Sequence, residues 1–372
     1  MTSPKPGTKS LTPQILLLTE QPLYMAPSPH VTTTIPTPKS PAEIAVDGGT
    51  AAPISGLHQD VILAHILTRL DGPSLASAAA TCSGLYALSS QEDIWANLCH
   101  STWPCTSSPR IRHVIRSFPN GSRSFFSDSS TIPRPIATPP RNSQINLDRT
   151  PELISAVDLY YRRQLLFSRV VETETVSDWF RCSPFRVDML EPKDVVQTPT
   201  RYPEGEDACR ELGEELRLSW IAIDARGGRA VNLSSQKPVS VQRHWLSGEV
   251  EVKFASVLAG EKGSSSELAL CSVSVTCVGA EGGEMQAREG NLQMEDMDGM
   301  KMKGRDSLVI LQRAWKGKRE SKNEGREGYR MFGERKRERK ERMMRREGTL
   351  DVVCVSLATL SFVGLFYVFA VC

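Results

Sequence analysis

Leu57-His-Gln-Asp-Val-Ile-Leu-Ala-His-Ile-Leu-Thr-Arg-Leu70 is the stretch on which the reading of this chain turns. Ile62, Ile66 and Leu70 recur every four residues with Leu63 and Leu67 beside them, which predicts a helix with one broad apolar stripe. Asp71-Gly72 is expected to stop it. Pro73 suits the first turn of a second helix, where a missing N–H costs nothing. That helix carries Leu75, Ala78, Ala79 and Cys82, side chains small enough for close packing. Ser90-Gln-Glu-Asp93 has the form of a capping box, and Ile94, Trp95 and Leu98 then make the apolar face of a third helix. Residues 55–103 therefore read as a three-helix unit.

On the N-terminal side, residues 1–52 are rich in Pro, Thr and Ser, as in Thr34-Ile-Pro-Thr-Pro-Lys39. Such a composition buries too little apolar surface to offset chain entropy and is expected to be disordered. On the C-terminal side a Ser/Pro-rich linker is expected over 128–150. Ile154, Val157, Tyr161 and Leu165 then predict an amphipathic helix, after which the period shifts towards two. Glu249-Val-Glu-Val-Lys-Phe254 alternates strictly, with Val250, Val252 and Phe254 inward. Leu218–Ile223 and Ala230–Leu233 flank Asp224-Ala-Arg-Gly-Gly228 as a hairpin. Leu268–Val278 is a further strand and Ser307–Arg313 a late one. The fold class is α+β: a helical N-terminal unit, then a helix plus a strand-rich, β-sandwich-like domain over 151–315.

The net charge of +2 hides an uneven distribution, because basic residues gather near the C-terminus. Residues 316–347 form a Lys/Arg/Glu-rich helical segment, and 352–372 carries no charged side chain. As a helix this last stretch is about 31 Å long, close to the hydrocarbon thickness of a bilayer. Arg335, Lys336, Arg337, Arg339, Lys340, Arg342, Arg345 and Arg346 precede it, and cations of this kind stay on the cytosolic side. The expectation is a single-pass C-terminal anchor with the bulk of the chain cytosolic. Anionic membrane lipid, rather than nucleic acid, is the partner expected for the basic run.

Nothing in the sequence points to catalysis. The nine cysteines form no C-x-x-C pair, and the histidines lack a second ligand at metal spacing. Neither a Gly-rich phosphate loop nor a nucleophile elbow is present. No catalytic residue, cofactor or metal is therefore expected. Met294-Glu-Asp-Met-Asp-Gly299 fails as a calcium loop, because Met294 and Arg305 would hold the first and twelfth positions. It reads as a turn. Cys271 and Cys277 share parity with Val273 and Val275 and are expected in a core. Trp179, Trp220 and Trp245 are the candidates for a binding groove in the strand-rich domain.

Leu57 to Trp95 resembles the F-box: a Leu-led first helix, the Ile66-Leu67 pair, Leu70, Leu75 and the closing Ile94-Trp95. His58, Asp71 and Cys82-Ser-Gly-Leu85 depart from the usual pattern. Asp178-Trp-Phe-Arg-Cys-Ser-Pro-Phe185, Asn232-Leu-Ser-Ser-Gln-Lys-Pro238, Arg243-His-Trp-Leu-Ser-Gly248 and Glu295-Asp-Met-Asp-Gly299 are similar to blocks of a small plant F-box group. That group includes a cytokinin-induced member, and some of its members end in a membrane span. The resemblance implies a non-enzymatic substrate-recognition adaptor of a Skp–cullin–F-box ubiquitin ligase. It implies a Skp-type adaptor, and through it a cullin, as partners, with Leu57, Ile62, Ile66, Leu67, Leu70, Leu75, Leu85 and Trp95 as the docking residues. It leaves the protein substrate unknown. The alternative is a membrane-anchored, lectin-like binding module without a ligase role.

Overall fold

A computed structural model describes residues 57–133, 146–190, 193–261, 264–317, 319–320 and 325–371. The segment expected to be disordered, 1–52, and the middle of the expected 128–150 linker lie outside the described residues. The N-terminal helices begin with α1 (Gln59–Val61), which continues as a π turn over Ile62–Ile66 and a 3-10 turn over Leu67–Arg69. Then come α2 (Gly72–Ala79), α3 (Ser83–Ser89), α4 (Glu92–Thr102), α5 (Pro109–Ile115) and α6 (Gly121–Ser129).

The local signals act a little differently from their expected roles. Asp71 caps α2, its carboxylate accepting the Ser74 N–H at 3.0 Å. Gly72 is required where it stands, because a Cβ there would come within 2.0 Å of the Phe126 ring. Cys82 opens the short helix α3 through its sulfur and the Leu85 N–H. The expected capping box at Ser90 does not form. Gln91 holds the N-cap position without a side-chain bond, and Ser90 Oγ instead accepts from Arg123 at 3.2 Å. Glu92 reaches the start of α6, accepting the Ser122 N–H at 2.9 Å.

The sheets begin with the short β1 (Ile132–Pro133) and the long pair β2 (Glu152–Tyr161) and β3 (Gln164–Glu174). These are followed by α7 (Asp178–Cys182), β4 (Arg186–Leu190), β5 (Val196–Arg201), α8 (Glu206–Glu215), β6 (Leu216–Asp224), β7 (Arg229–Asn232) and β8 (Ser240–Arg243). The chain ends with β9 (Val250–Ala259), β10 (Leu268–Gly279), β11 (Glu284–Glu295), α9 (Gly304–Lys316), β12 (Arg319–Glu320) and α10 (Gly325–Val371). One antiparallel sheet has the order β3-β2-β6-β7, and a six-stranded sheet has the order β4-β11-β10-β9-β8 with β5 also on β11. β1 pairs with β12.

The helix expected over Ile154–Leu165 is corrected to the β2–β3 hairpin. Leu153, Val157 and Leu159 face the core between the two sheets, whereas Ile154 and Ala156 face the N-terminal helices. A strand buried on both faces loses the polar alternation that advertises it, and its apolar run then matches a helical template. The turn was hidden as well. Arg162 (φ 45°) and Arg163 (φ 67°) occupy left-handed positions that usually belong to Asn-Gly.

The late strand expected over Ser307–Arg313 is corrected to α9. Consecutive Val309 and Ile310 resemble a strand, but Leu308, Leu311 and Trp315 share one helix face and enter the core between the sheets. Trp315 Nε1 donates to the Ala222 carbonyl at 3.0 Å. The β9 alternation is as expected, with Val250, Val252 and Phe254 fully buried and Glu251 outside. Cys271, Val273, Val275 and Cys277 share the same core, and β6 and β7 pair around the expected turn.

Four layers result. The N-terminal helices cover one face of the four-stranded sheet, and the six-stranded sheet covers the other. On the outer face of the six-stranded sheet, Ala255, Val257, Leu268 and Leu270 pack against Tyr329 and Phe332 of α10.

Candidate functional site

The π turn decides which residues of α1 face outward. The Leu67 N–H bonds to the carbonyls of Ile62 and Leu63, so the inward positions fall five residues apart rather than four. Ile62 and Leu67 are consequently buried, Leu67 at 1% exposure, while Ile66 turns outward at 38%. Leu57 and Val61 are exposed with it. The eight residues expected to share one docking surface therefore divide. Leu57 and Ile66 are exposed, Leu70 and Leu85 half-buried, and Ile62, Leu67, Leu75 and Trp95 belong to the core beneath the helices. Val61, which no periodicity template selected, joins the outward set.

Trp95 is held from two sides. Its Nε1 donates to the Ser89 carbonyl at 2.7 Å, and the Arg123 guanidinium lies 5.7 Å from its ring centroid. Arg123 stands equally close to the exposed Tyr86 ring, so it ties the end of α3 to α4 and α6.

The three tryptophans proposed for a groove also part company. Trp220 is 0% exposed in the core between the sheets, which corrects its assignment as a binding residue: it lies on the inner face of β6 beneath a complete second sheet. Trp179 on α7 is 81% exposed and Trp245 is 88% exposed. Trp245 sits at the tip of the β8–β9 hairpin, where Gly248 adopts φ +73° and its N–H donates to the His244 carbonyl at 2.9 Å. The tip is braced from below. Arg243 donates to the Glu204 carbonyl at 2.6 Å and to the Gly248 carbonyl at 3.3 Å, and its guanidinium lies over the Tyr202 ring. The Tyr202 hydroxyl also donates to the Gly248 carbonyl.

An open cleft of about 1360 Å³ runs between this tip, α8, β8 and the first turns of α10. Val241 and Cys209 contribute apolar floor, Trp245 and Leu246 one wall, and Arg326, Tyr329 and Arg330 the other. Arg326 is fixed there by the Glu214 carboxylate at 3.2 Å and the Pro238 carbonyl at 3.3 Å. Sequence reasoning found Trp245 but missed the rest of this wall. α10 and β8 are far apart along the chain, and no local pattern announces their meeting.

The remaining polar candidates have structural work. Asp296 accepts the N–H groups of Asp298 at 3.0 Å and Met300 at 2.8 Å, closing the expected turn, which leads into α9. Asp298 in turn holds Arg339 of α10 at 2.7 Å. Burial pushes the Cys277 thiol up to about 12 and that of Cys271 higher still, far from the range of a reactive thiolate. Among the described residues, no three His, Cys, Asp or Glu side chains stand together as a metal site.

α10 continues beyond the body as one helix. From Val352 onward its described side chains are apolar or uncharged and exposed, and by length and composition it is long and apolar enough to cross a membrane.

Comparison with known proteins places these features. A family model described as F-box-like matches residues 60–101, the span of α1 to α4. A protein of Arabidopsis thaliana named as a probable F-box protein is 45% identical over 316 residues, covering 83% of this chain and 91% of the relative. Two further Arabidopsis thaliana F-box proteins are 43% and 42% identical, covering 83% and 86% of this chain and 94% and 92% of their own lengths. No solved structure matches the chain.

Proposed function

This chain belongs to the plant F-box protein family, and from that membership we propose that it is a substrate-recognition adaptor of a Skp–cullin–F-box ubiquitin ligase, tethered to a membrane by α10. The observation that carries the reading is the coincidence of the F-box-like match at 60–101 with exposed Val61 and Ile66 on the first helical segment, beside exposed Leu57 just before it. These side chains offer an apolar surface to a Skp-type adaptor, and the adaptor connects it to a cullin. In this reading the chain binds and positions, and the catalytic groups belong to its partners. Its chemical contribution is effective concentration, holding a substrate near the conjugating machinery.

The strand-rich body is the recognition part of this proposal. The cleft beside Trp245 combines exposed aromatic and aliphatic surface with fixed guanidinium groups, a combination suited to a protein segment. Trp179 lies outside that cleft on α7 and is a second, separate contact. Basic side chains such as Arg342, Arg345 and Arg346 stand just before the apolar span and meet anionic headgroups.

The test uses point variants, because removing the N-terminal helices would strip Ile154, Ala156, Ile221 and Ile223 of their cover. Val61→Asp with Ile66→Asp leaves the core intact and is expected to weaken binding to a purified Skp-type adaptor by at least tenfold, with circular dichroism unchanged. Unchanged adaptor binding by the folded variant overturns the adaptor reading. Removal of 351–372 is expected to turn a detergent-requiring protein into a salt-soluble one. Full-length protein that washes off membranes in carbonate overturns the tether.

A further inference from the structure

α10 does more than end in an apolar stretch. It is gripped by the body at two places along its length and then leaves it without a break. At the first place, Arg326 bonds to Glu214 and to the Pro238 carbonyl. At the second, the Arg339 guanidinium makes a forked contact with the Asp298 carboxylate, at 2.7 and 3.3 Å. Between them Phe332, only 2% exposed, is set into the outer face of the six-stranded sheet. Two grips and a buried ring fix the direction of a helix, which a single contact does not.

Beyond Arg339 the helix has no cover from the body, yet its sequence supports itself. Glu338 pairs with Arg342 at 3.5 Å and Glu341 with Arg345 at 3.9 Å, each acidic residue four positions before its basic partner. That order is the one that stabilises an isolated helix, and no Pro interrupts 326–352; Gly333 and Gly348 both lie within the continuous helix.

We propose that α10 is a rigid strut that holds the Trp245 cleft at a set height above the bilayer, so that the cleft engages water-exposed segments of a partner protein and not its membrane-embedded ones. Tyr329 lines the cleft, and from there to Val352 the helix rises about 35 Å at the α-helical rise per residue. A tilt of about 20° shortens this by only a few ångström. The lower end of the body, at the Asp296–Gly299 turn against Lys336 and Arg339, stands about 20 Å above the same point. This inference rests on the membrane tether proposed above.

The test places full-length protein in vesicles of phosphatidylcholine and phosphatidylserine, with a fluorescent amino acid at position 246 as donor and labelled headgroups as acceptor. Flotation is scored first, and a chain that does not float with the vesicles overturns the tether and the strut with it. In floating protein the donor is expected at about 25 Å from the headgroup plane, the helical rise from Tyr329 to the basic residues Arg345 and Arg346, with a narrow distribution. Seven helix-forming residues inserted after Met343, with Glu and Arg four apart, are expected to add about 10 Å. Seven Gly and Ser residues at the same place are expected to broaden the distribution and shorten its mean. Floating protein whose distance is broad from the start, or does not respond to the helical insertion, overturns the strut and leaves the tether standing.

Discussion

Asp158 of β2 accepts the backbone N–H of Cys105 at 3.0 Å, joining the four-stranded sheet to the chain between α4 and α5. Ser168 on β3 donates to the same carboxylate at 2.6 Å. The group is fully buried, and burial pushes its pKa up, opposed by the bonds from Cys105 and Ser168. The folded state therefore holds the proton more readily than the unfolded chain. The stability this contributes is complete below the unfolded value of about 3.9 and is lost as pH rises through the raised folded value. Asp158→Asn keeps an acceptor for Cys105 but cannot titrate. Urea unfolding at a series of pH values is expected to show the wild type losing stability relative to the variant as pH rises across that window. Parallel curves would refute the assignment.

Leu67 and Ile66 are adjacent and are expected to behave oppositely. Leu67→Ala leaves a cavity under the helices and is expected to cost about 2–5 kcal/mol in unfolding measurements. Ile66→Ala removes a side chain that already faces solvent, so stability should change by less than about 1 kcal/mol, with the loss appearing in adaptor binding. Equal destabilisation by both would mean that the π turn is absent in solution.

Arg163 sits at φ 67° in the two-residue turn between β2 and β3, where a β-carbon is strained. Arg163→Gly relieves that strain and is expected to raise unfolding free energy by about 1 kcal/mol. The gain is read as a higher urea midpoint at unchanged slope.

Trp220 and Trp245 separate core from recognition. Trp220→Ala is expected to cost about 3–5 kcal/mol, because the ring fills the space between the sheets. Trp245→Ala is expected to leave stability within about 0.5 kcal/mol while reducing the set of proteins captured in proximity labelling. Capture unaffected by the Trp245 variant would remove the cleft from the recognition role.

Much of this protein was legible in local sequence. The Val250-Glu-Val-Lys-Phe254 alternation, the turn after Asp224 and the parity of Cys271 with Cys277 are all short-range patterns, and each took the expected form; the uncharged run from Val352 is another such pattern, and it is helical. The F-box motif belongs with them, since its residues lie close along the chain. These features are legible because neighbours in sequence generate them: a period of two or of 3.6, a turn residue, a length of apolar chain.

What only the tertiary structure decided depends on which surface covers which. Glu152–Tyr161 became a strand buried on both faces because helices lie on one side of it and a second sheet on the other. Ile66 and Leu67, expected side by side on one docking surface, part company because a π turn was accommodated against the core, a choice of packing and not of propensity. Trp220 and Trp245 carry the same indole, yet one lies beneath a sheet and the other at a hairpin tip. The cleft exists because α10 returns to β9 and β8 after the whole body has been built. Burial is set by residues far away in sequence, so it is fixed only when the chain has folded.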